Sequence, residues 1–170
     1  MLTAEELIRH FGLEPLPGEG GWFRQTYLSV ESIPADALPV RYEASKPFGT
    51  AIYFLLTAEP DCFSALHKLP TDEIYHFYFG DPGEMLLLHP DGRSERVVLG
   101  HDVMRGQRVQ FVAPRGVWQG SRLVAGGKFA LMGTTMAPGF TLPDFTLGKR
   151  DELVRAYPAE AEMIRALTRG

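Results

Sequence analysis

The sequence predicts an all-β protein, a barrel or sandwich of short strands with a helix at each end. Three patterns carry this. Between residues 49 and 136, strand-like runs alternate with turn residues about every 8–12 positions, the spacing of sandwiches and barrels. The 18 Gly and 13 Pro are scattered singly, so they read as turns between strands and not as disorder. Helical periodicity is confined to the two ends of the chain.

At the N-terminus, Thr3 and Glu6 have capping-box spacing, Leu7, Ile8 and Phe11 form an apolar face, and Gly12 stands where the helix should end. Pro15, Pro17, Gly18, Gly20 and Gly21 then make a loop leading into the strand-like WFRQTYLSV. Residues 31–48, with Pro34, Pro39 and Pro47, read as an irregular excursion. TAIYFLL is a continuous apolar run of the buried-strand kind. CFSALHKL alternates, which places Phe63, Ala65, His67 and Leu69 on one face. EIYHFYF follows a PTD turn, EMLLLH follows GDPG, and SERVVL follows the turn from Pro90 to Gly92. RVQFVA and VWQGSRL flank Pro114 and Gly116, and KFALMGTTM closes the series. Beyond it, APGFTLPDFTLG is a loop carrying Phe140, Phe145 and Leu147. Helical spacing returns at Leu153, Met163, Ile164 and Leu167, with Pro158 suited to a first turn. No repeat period or linker interrupts the chain, so one domain over residues 1–170 is expected.

The totals exclude several classes of partner. Net charge is −4 and Lys and Arg form no run, so a nucleic-acid or acidic-membrane partner has no electrostatic footprint. No apolar stretch approaches the roughly 18 residues of a membrane span. Cys62 is the sole cysteine, which leaves no internal disulfide and no thiolate metal cluster. The opening residues are charged and polar, unlike a signal peptide, and a cytoplasmic location is expected.

The chemistry-bearing residues cluster in HKLPTDEIYHFYFG, residues 67–80, and PRGVWQ, residues 114–119. A strand, a turn and a strand can aim His67, Glu73 and Gln119 into one interior. The pattern resembles the cupin superfamily. The first motif of that family is a His-x-His pair, then a Glu, then a Gly; its second is Pro-x-Gly-x-x-His. His67, Glu73 and Gly80 match the first motif, and Pro114 and Gly116 match the second. Leu69 stands where the second His belongs, Gln119 where the last His belongs, and Asp61 where the opening Gly belongs. A closer resemblance, to a subfamily of small and largely uncharacterised cupins, runs through six ordered blocks: GEGGWFRQTYLS, TAIYFLL, FSALHKLPTDEIYHFYFGDP, LGHDVMRGQ, PRGVWQ and MAPGFTLPDF. It implies a double-stranded β-helix, the cupin jelly-roll barrel, and often a homodimer, an arrangement that also covers edge strands. Related jelly rolls include sugar-nucleotide epimerases, metal dioxygenases, isomerases and plain binding proteins, so the fold does not choose a reaction.

Three readings of the pocket stand side by side. In the first, His67 is a general base, Glu73 its partner or the acid, and Tyr75 a further acid on the face of Glu73, giving isomerase or epimerase chemistry on a carbohydrate-like substrate such as a sugar or sugar nucleotide. In the second, His67, Glu73, Gln119 and His76 hold a divalent metal, Zn, Fe, Mn or Ni. His76 faces away from Glu73 by simple alternation, so only a bulge would bring it in. In the third, the barrel binds a small molecule without catalysis. Trp22, Tyr53, Phe63 and Trp118 are the candidate aromatic walls, with Trp22 following Gly20 and Gly21, where a backbone can approach a ligand closely. Arg24 and Gln25 offer polar contacts on the same strand.

Overall fold

The computed structural model describes residues 2–169. The expected first helix forms as α1 (Ala4–Phe11). Thr3 Oγ1 accepts from the Glu6 N–H at 3.2 Å, and the Glu6 carboxylate accepts from the Thr3 N–H at 2.9 Å, which completes the capping box. Gly12 ends the helix in the left-handed region.

Thirteen strands are present among the described residues: β1 (Glu14–Pro15), β2 (Trp22–Leu28), β3 (Ser32–Ile33), β4 (Lys46–Pro47), β5 (Thr50–Thr57), β6 (Ser64–Lys68), β7 (Glu73–Gly80), β8 (Gly83–Leu88), β9 (Ser94–Leu99), β10 (Gln110–Ala113), β11 (Trp118–Leu123), β12 (Phe129–Met136) and β13 (Thr146–Leu147). Helices α2 (Arg150–Ala156) and α3 (Ala161–Ala166) close the chain. Nine of the strands have four or more residues, and these are the runs legible in the sequence. The other four, β1, β3, β4 and β13, are two-residue pairings, too short to carry a period-2 signal.

Two antiparallel sheets pack face to face. One has the order β1-β2-β5-β12-β7-β10 and the other β13-β6-β11-β8-β9, while β3 and β4 pair separately. Their inner faces share the main core, with Phe54, Leu56, Tyr75, Phe77 and Met132 from the first sheet against Met85, Leu87, Val97 and Leu99 from the second. This is the jelly-roll architecture with short helices at its ends. No helix among the described residues is long and apolar enough to cross a membrane.

The outer faces are covered by the terminal segments. Leu7 of α1 and Leu13 pack on Leu55, Phe129 and Leu131 of the first sheet. Leu153, Met163, Ile164 and Leu167 pack on Leu66, Leu86 and Leu88 of the second. Each such Leu or Ile contributes about 1.5–3 kcal/mol on burial. Helices of six to eight residues are marginal alone, so this packing is what keeps them helical.

Candidate active site

The site spans the gap between the sheets. On β6 and β11 of the second sheet, His67 lies directly opposite Gln119. The register then shifts, pairing Ser64 with Ser121, so Ala65 and Leu66 together oppose Gly120. This is a β-bulge. The Ala65 carbonyl accepts from His67 Nδ1 at 2.8 Å, which leaves Nε2 as the ring nitrogen for the site. Glu73 opens β7 on the first sheet, and its Oε2 stands 3.9 Å from His67 Nε2. That gap is too wide for a direct hydrogen bond. Two donors hold Glu73 instead: Gln119 Nε2 at 2.8 Å and the Tyr75 hydroxyl at 3.2 Å, both on Oε2. His67, Glu73, Gln119 and Tyr75 are all buried.

A fourth ionisable group enters from the loop before β2. The Ala65 N–H donates to the Glu19 carbonyl at 2.9 Å, and Ser64 Oγ donates to Glu19 Oε1 at 2.6 Å. These bonds draw the half-buried Glu19 to the cavity beside His67. Burial alone would push the His67 imidazole down. The Glu19 and Glu73 carboxylates and the bond to Ala65 overcome it and raise the pKa to about 9, so His67 is an imidazolium at neutral pH. Burial likewise pushes the Glu19 carboxyl up. Burial and the two carboxylates push the Tyr75 phenol well above its usual range, so it keeps its proton and stays a donor to Glu73.

His67 and Glu73 line a cavity of about 310 Å³. Its apolar walls are Phe23 and Ile52 from the first sheet and Phe140 and Phe145 from the loop after β12. Thr50, Thr134 and Gln25 add polar groups. Glu14, Glu19 and Glu73 are its carboxylates, and no Lys or Arg among the described residues lines it. Glu19, Phe23, Phe140 and Phe145 are site residues that sequence reasoning did not assign. Phe140 and Phe145 were visible only as aromatics in a loop. Glu19 sits in a glycine-rich run whose structural role is revealed by the Ser64 and Ala65 bonds.

The expected aromatic walls lie elsewhere. Trp22 alternates with Phe23 on β2 and packs outward with Leu7 and Leu13. The close backbone approach beside it is made by protein: a Cβ on Gly21 would meet the Phe54 ring at 2.7 Å. Tyr53 also faces outward, against Phe11 and Tyr78. The bulge in β6 breaks the alternation that would place Phe63 beside His67, and Phe63, like Trp118, packs instead against the cluster on the tail-helix side of the second sheet. Trp118 precedes Gln119 on a regular strand and therefore faces the opposite way. Arg24 donates to the Phe11 carbonyl at 2.8 Å, outside the cavity.

The four-ligand metal set is not assembled. β7 is regular between Glu73 and Phe77, so His76 lies on the outer face, with Nε2 3.0 Å from Thr135 Oγ1 and Nδ1 3.3 Å from Gln110. Leu69 offers no donor atom, and Gln119 turns its amide nitrogen toward Glu73. A firm site for a first-row metal needs three or four N, S or O donors. Among the described residues no group of three or more His, Cys, Asp or Glu is arranged to hold a metal ion. The donors present do not fit a metal centre.

Comparison with known proteins agrees with this architecture. Residues 5–148 match the family model described as "Cupin superfamily (DUF985)". The uncharacterized protein YML079W of Saccharomyces cerevisiae is 30% identical over 166 residues, covering 87% of this chain and 74% of the yeast protein. The crystal structure of protein SO0799 from Shewanella oneidensis superposes with a TM-score of 0.85 at 30% identity, covering 99% of each chain. Oxalate decarboxylase from Bacillus subtilis superposes with a TM-score of 0.53 at 15% identity, over 91% of this chain and 37% of that enzyme, a likeness of fold. With two facing antiparallel sheets, the His67–Glu73–Gln119 constellation between them and a family match over most of its length, the chain belongs to the cupin superfamily.

Proposed function

We propose that the protein is an acid–base enzyme of isomerase or epimerase type, acting on a carbohydrate-like small molecule in the His67–Glu73 cavity. The observation that carries this reading is the pair itself, with Nε2 and Oε2 facing each other across 3.9 Å at the wall of a cavity. The cavity volume of about 310 Å³ is at the small end of the roughly 300–1,000 Å³ typical of ligand pockets, which suits a single sugar-sized ring. Phe140 and Phe145 offer aromatic faces, and Thr50, Thr134 and Gln25 offer polar contacts.

The charge state assigns the roles, and it exchanges those expected from the sequence. His67 begins with its proton, so it is the acid. Glu73, with Oε2 held by Tyr75 and Gln119, is the base through Oε1. Glu73 removes a proton from the hydroxyl-bearing carbon next to a substrate carbonyl while His67 Nε2 protonates the carbonyl oxygen, giving an enediol. Return of the proton from Glu73 to the former carbonyl carbon, and of the proton of the other hydroxyl to Nε2, yields the carbonyl-shifted isomer. Protonation of the original carbon by water from the opposite face yields the epimer, with the first hydroxyl proton going back to Nε2 and the Glu73 proton to solvent. Atoms and electrons balance without a redox partner. Tyr75 and Gln119 are positioning residues in this scheme.

The test is turnover. Incubation with a panel of reducing sugars and sugar phosphates, followed by product separation, should give an isomer with wild type and none with His67→Ala. Turnover untouched by His67→Ala would refute the assignment, and ligand binding without turnover would make the protein a non-catalytic binding cupin. In the same reading the protein is a cytoplasmic homodimer, its sheets ending in the edge strands β10 and β9. A monomeric mass by light scattering would contradict the dimer.

A further inference from the structure

Next to the cavity lies a second hollow of about 320 Å³. The two share Leu69. The segment 140–146 separates them, with Phe140 and Phe145 lining the His67 cavity and Thr141, Asp144 and Thr146 lining the second hollow. The charges on the two sides differ. The His67 cavity carries carboxylates and, among the described residues, no Lys or Arg. The second hollow carries Arg41, Lys46 and Lys68 against Glu43 and Asp144.

Lys46 and Asp144 are buried and paired with each other, which removes both from the balance. Arg41 and Lys68 then face Glu43 alone. Both are held in place without a carboxylate. Arg41 Nε donates to the Pro70 carbonyl at 3.0 Å and its guanidinium lies 4.7 Å from the Tyr42 ring centroid. The Lys68 ammonium lies 4.7 Å from the Trp118 ring centroid. Two positioned cations with donors to spare suit a phosphate oxygen cluster. The carboxylates across the partition would repel one.

We propose that this hollow is an anion site, in which Arg41 and Lys68 take the phosphate group of a small phosphorylated ligand. The site does not depend on turnover in the His67 cavity.

Calorimetric titration with pyrophosphate tests the subsite directly. Wild type should bind it saturably, more weakly as salt is raised, and the affinity should fall about tenfold for each of Arg41→Gln and Lys68→Gln. His67→Ala should bind pyrophosphate as wild type does, which separates failure of this proposal from failure of the cavity chemistry. Absence of binding, or unchanged binding in the Arg41→Gln, Lys68→Gln double variant, overturns the proposal. So does binding lost in His67→Ala and kept in the double variant, since that places the anion in the cavity. A second arm titrates glucose 1-phosphate, distinguishing a sugar-borne phosphate from a free one: binding that is lost in the double variant and kept in His67→Ala supports the sugar-borne phosphate, and no binding overturns it.

Discussion

Phe145 stacks on the His67 imidazole, with ring centroids 5.1 Å apart and planes inclined by 25°. The contact joins the ionisable centre of the site to a loop that has no periodic sequence pattern. An imidazolium against an aromatic face gains a cation–π term beyond burial. Phe145→Ala should therefore cost about 1–2 kcal/mol in urea denaturation and open the cavity wall, weakening any ligand found for it. A variant as stable as wild type with unchanged ligand affinity would show that the stacking has no role.

The loop bearing Phe145 is tied down by the buried pair of Lys46 and Asp144, which also engage Thr141. Removing one partner strands the other charge away from water. Lys46→Met or Asp144→Leu should each lose about 3–5 kcal/mol, and the double variant should recover much of it. Equilibrium urea unfolding of the three variants checks this. Additive losses in the double variant would contradict a paired interaction.

The raised His67 pKa has a defined pH signature. Folding raises it from about 6.5 to about 9, so the stabilisation it brings is fully present below pH 6.5 and is lost as pH climbs through 9. Urea midpoints should fall more between pH 6 and pH 9.5 for wild type than for His67→Gln. Glu19 is the foremost of the groups raising the pKa, so Glu19→Gln should lower the His67 midpoint in an NMR titration. An unmoved midpoint would place Glu19 outside the site's electrostatics.

Gly20 is the hinge of Glu19's position. Its φ of +102° is one that side chains rarely adopt, and a Cβ there would lie 2.4 Å from the Phe63 carbonyl oxygen. Gly20→Ala should cost about 1–3 kcal/mol and, by displacing Glu19, lower the His67 titration midpoint as well. Thermal unfolding and the same NMR titration read both effects, and a wild-type midpoint in a destabilised variant would separate the loop from the site.

Much of the fold was readable because its long strands obey simple rules. Glu73, Tyr75 and Phe77 alternate inward on β7, and turn residues punctuate each run. His67, Glu73 and Gln119 were readable as motif positions on such strands. The misplaced aromatics have two causes. The bulge at Ala65 and Leu66 reverses the face of Phe63, and no local pattern says which side of a sheet covered on both faces holds the cavity, so Trp22, Tyr53 and Trp118 could be assigned to either. Glu19, Phe140 and Phe145 arrive through loops whose course is set by long-range bonds, such as Ser64 to Glu19 and Lys46 to Asp144, and these have no signature in sequence spacing.

The central claim is that His67 and Glu73 move a proton at a substrate carbon. The most direct measurement is proton NMR of substrate and product after incubation in deuterium oxide. Wild type should place solvent deuterium on the reacting carbon, and Glu73→Gln should slow that exchange by about 100-fold or more while still binding the substrate. Exchange at the wild-type rate in Glu73→Gln, or turnover without any solvent deuterium on carbon, would contradict the claim.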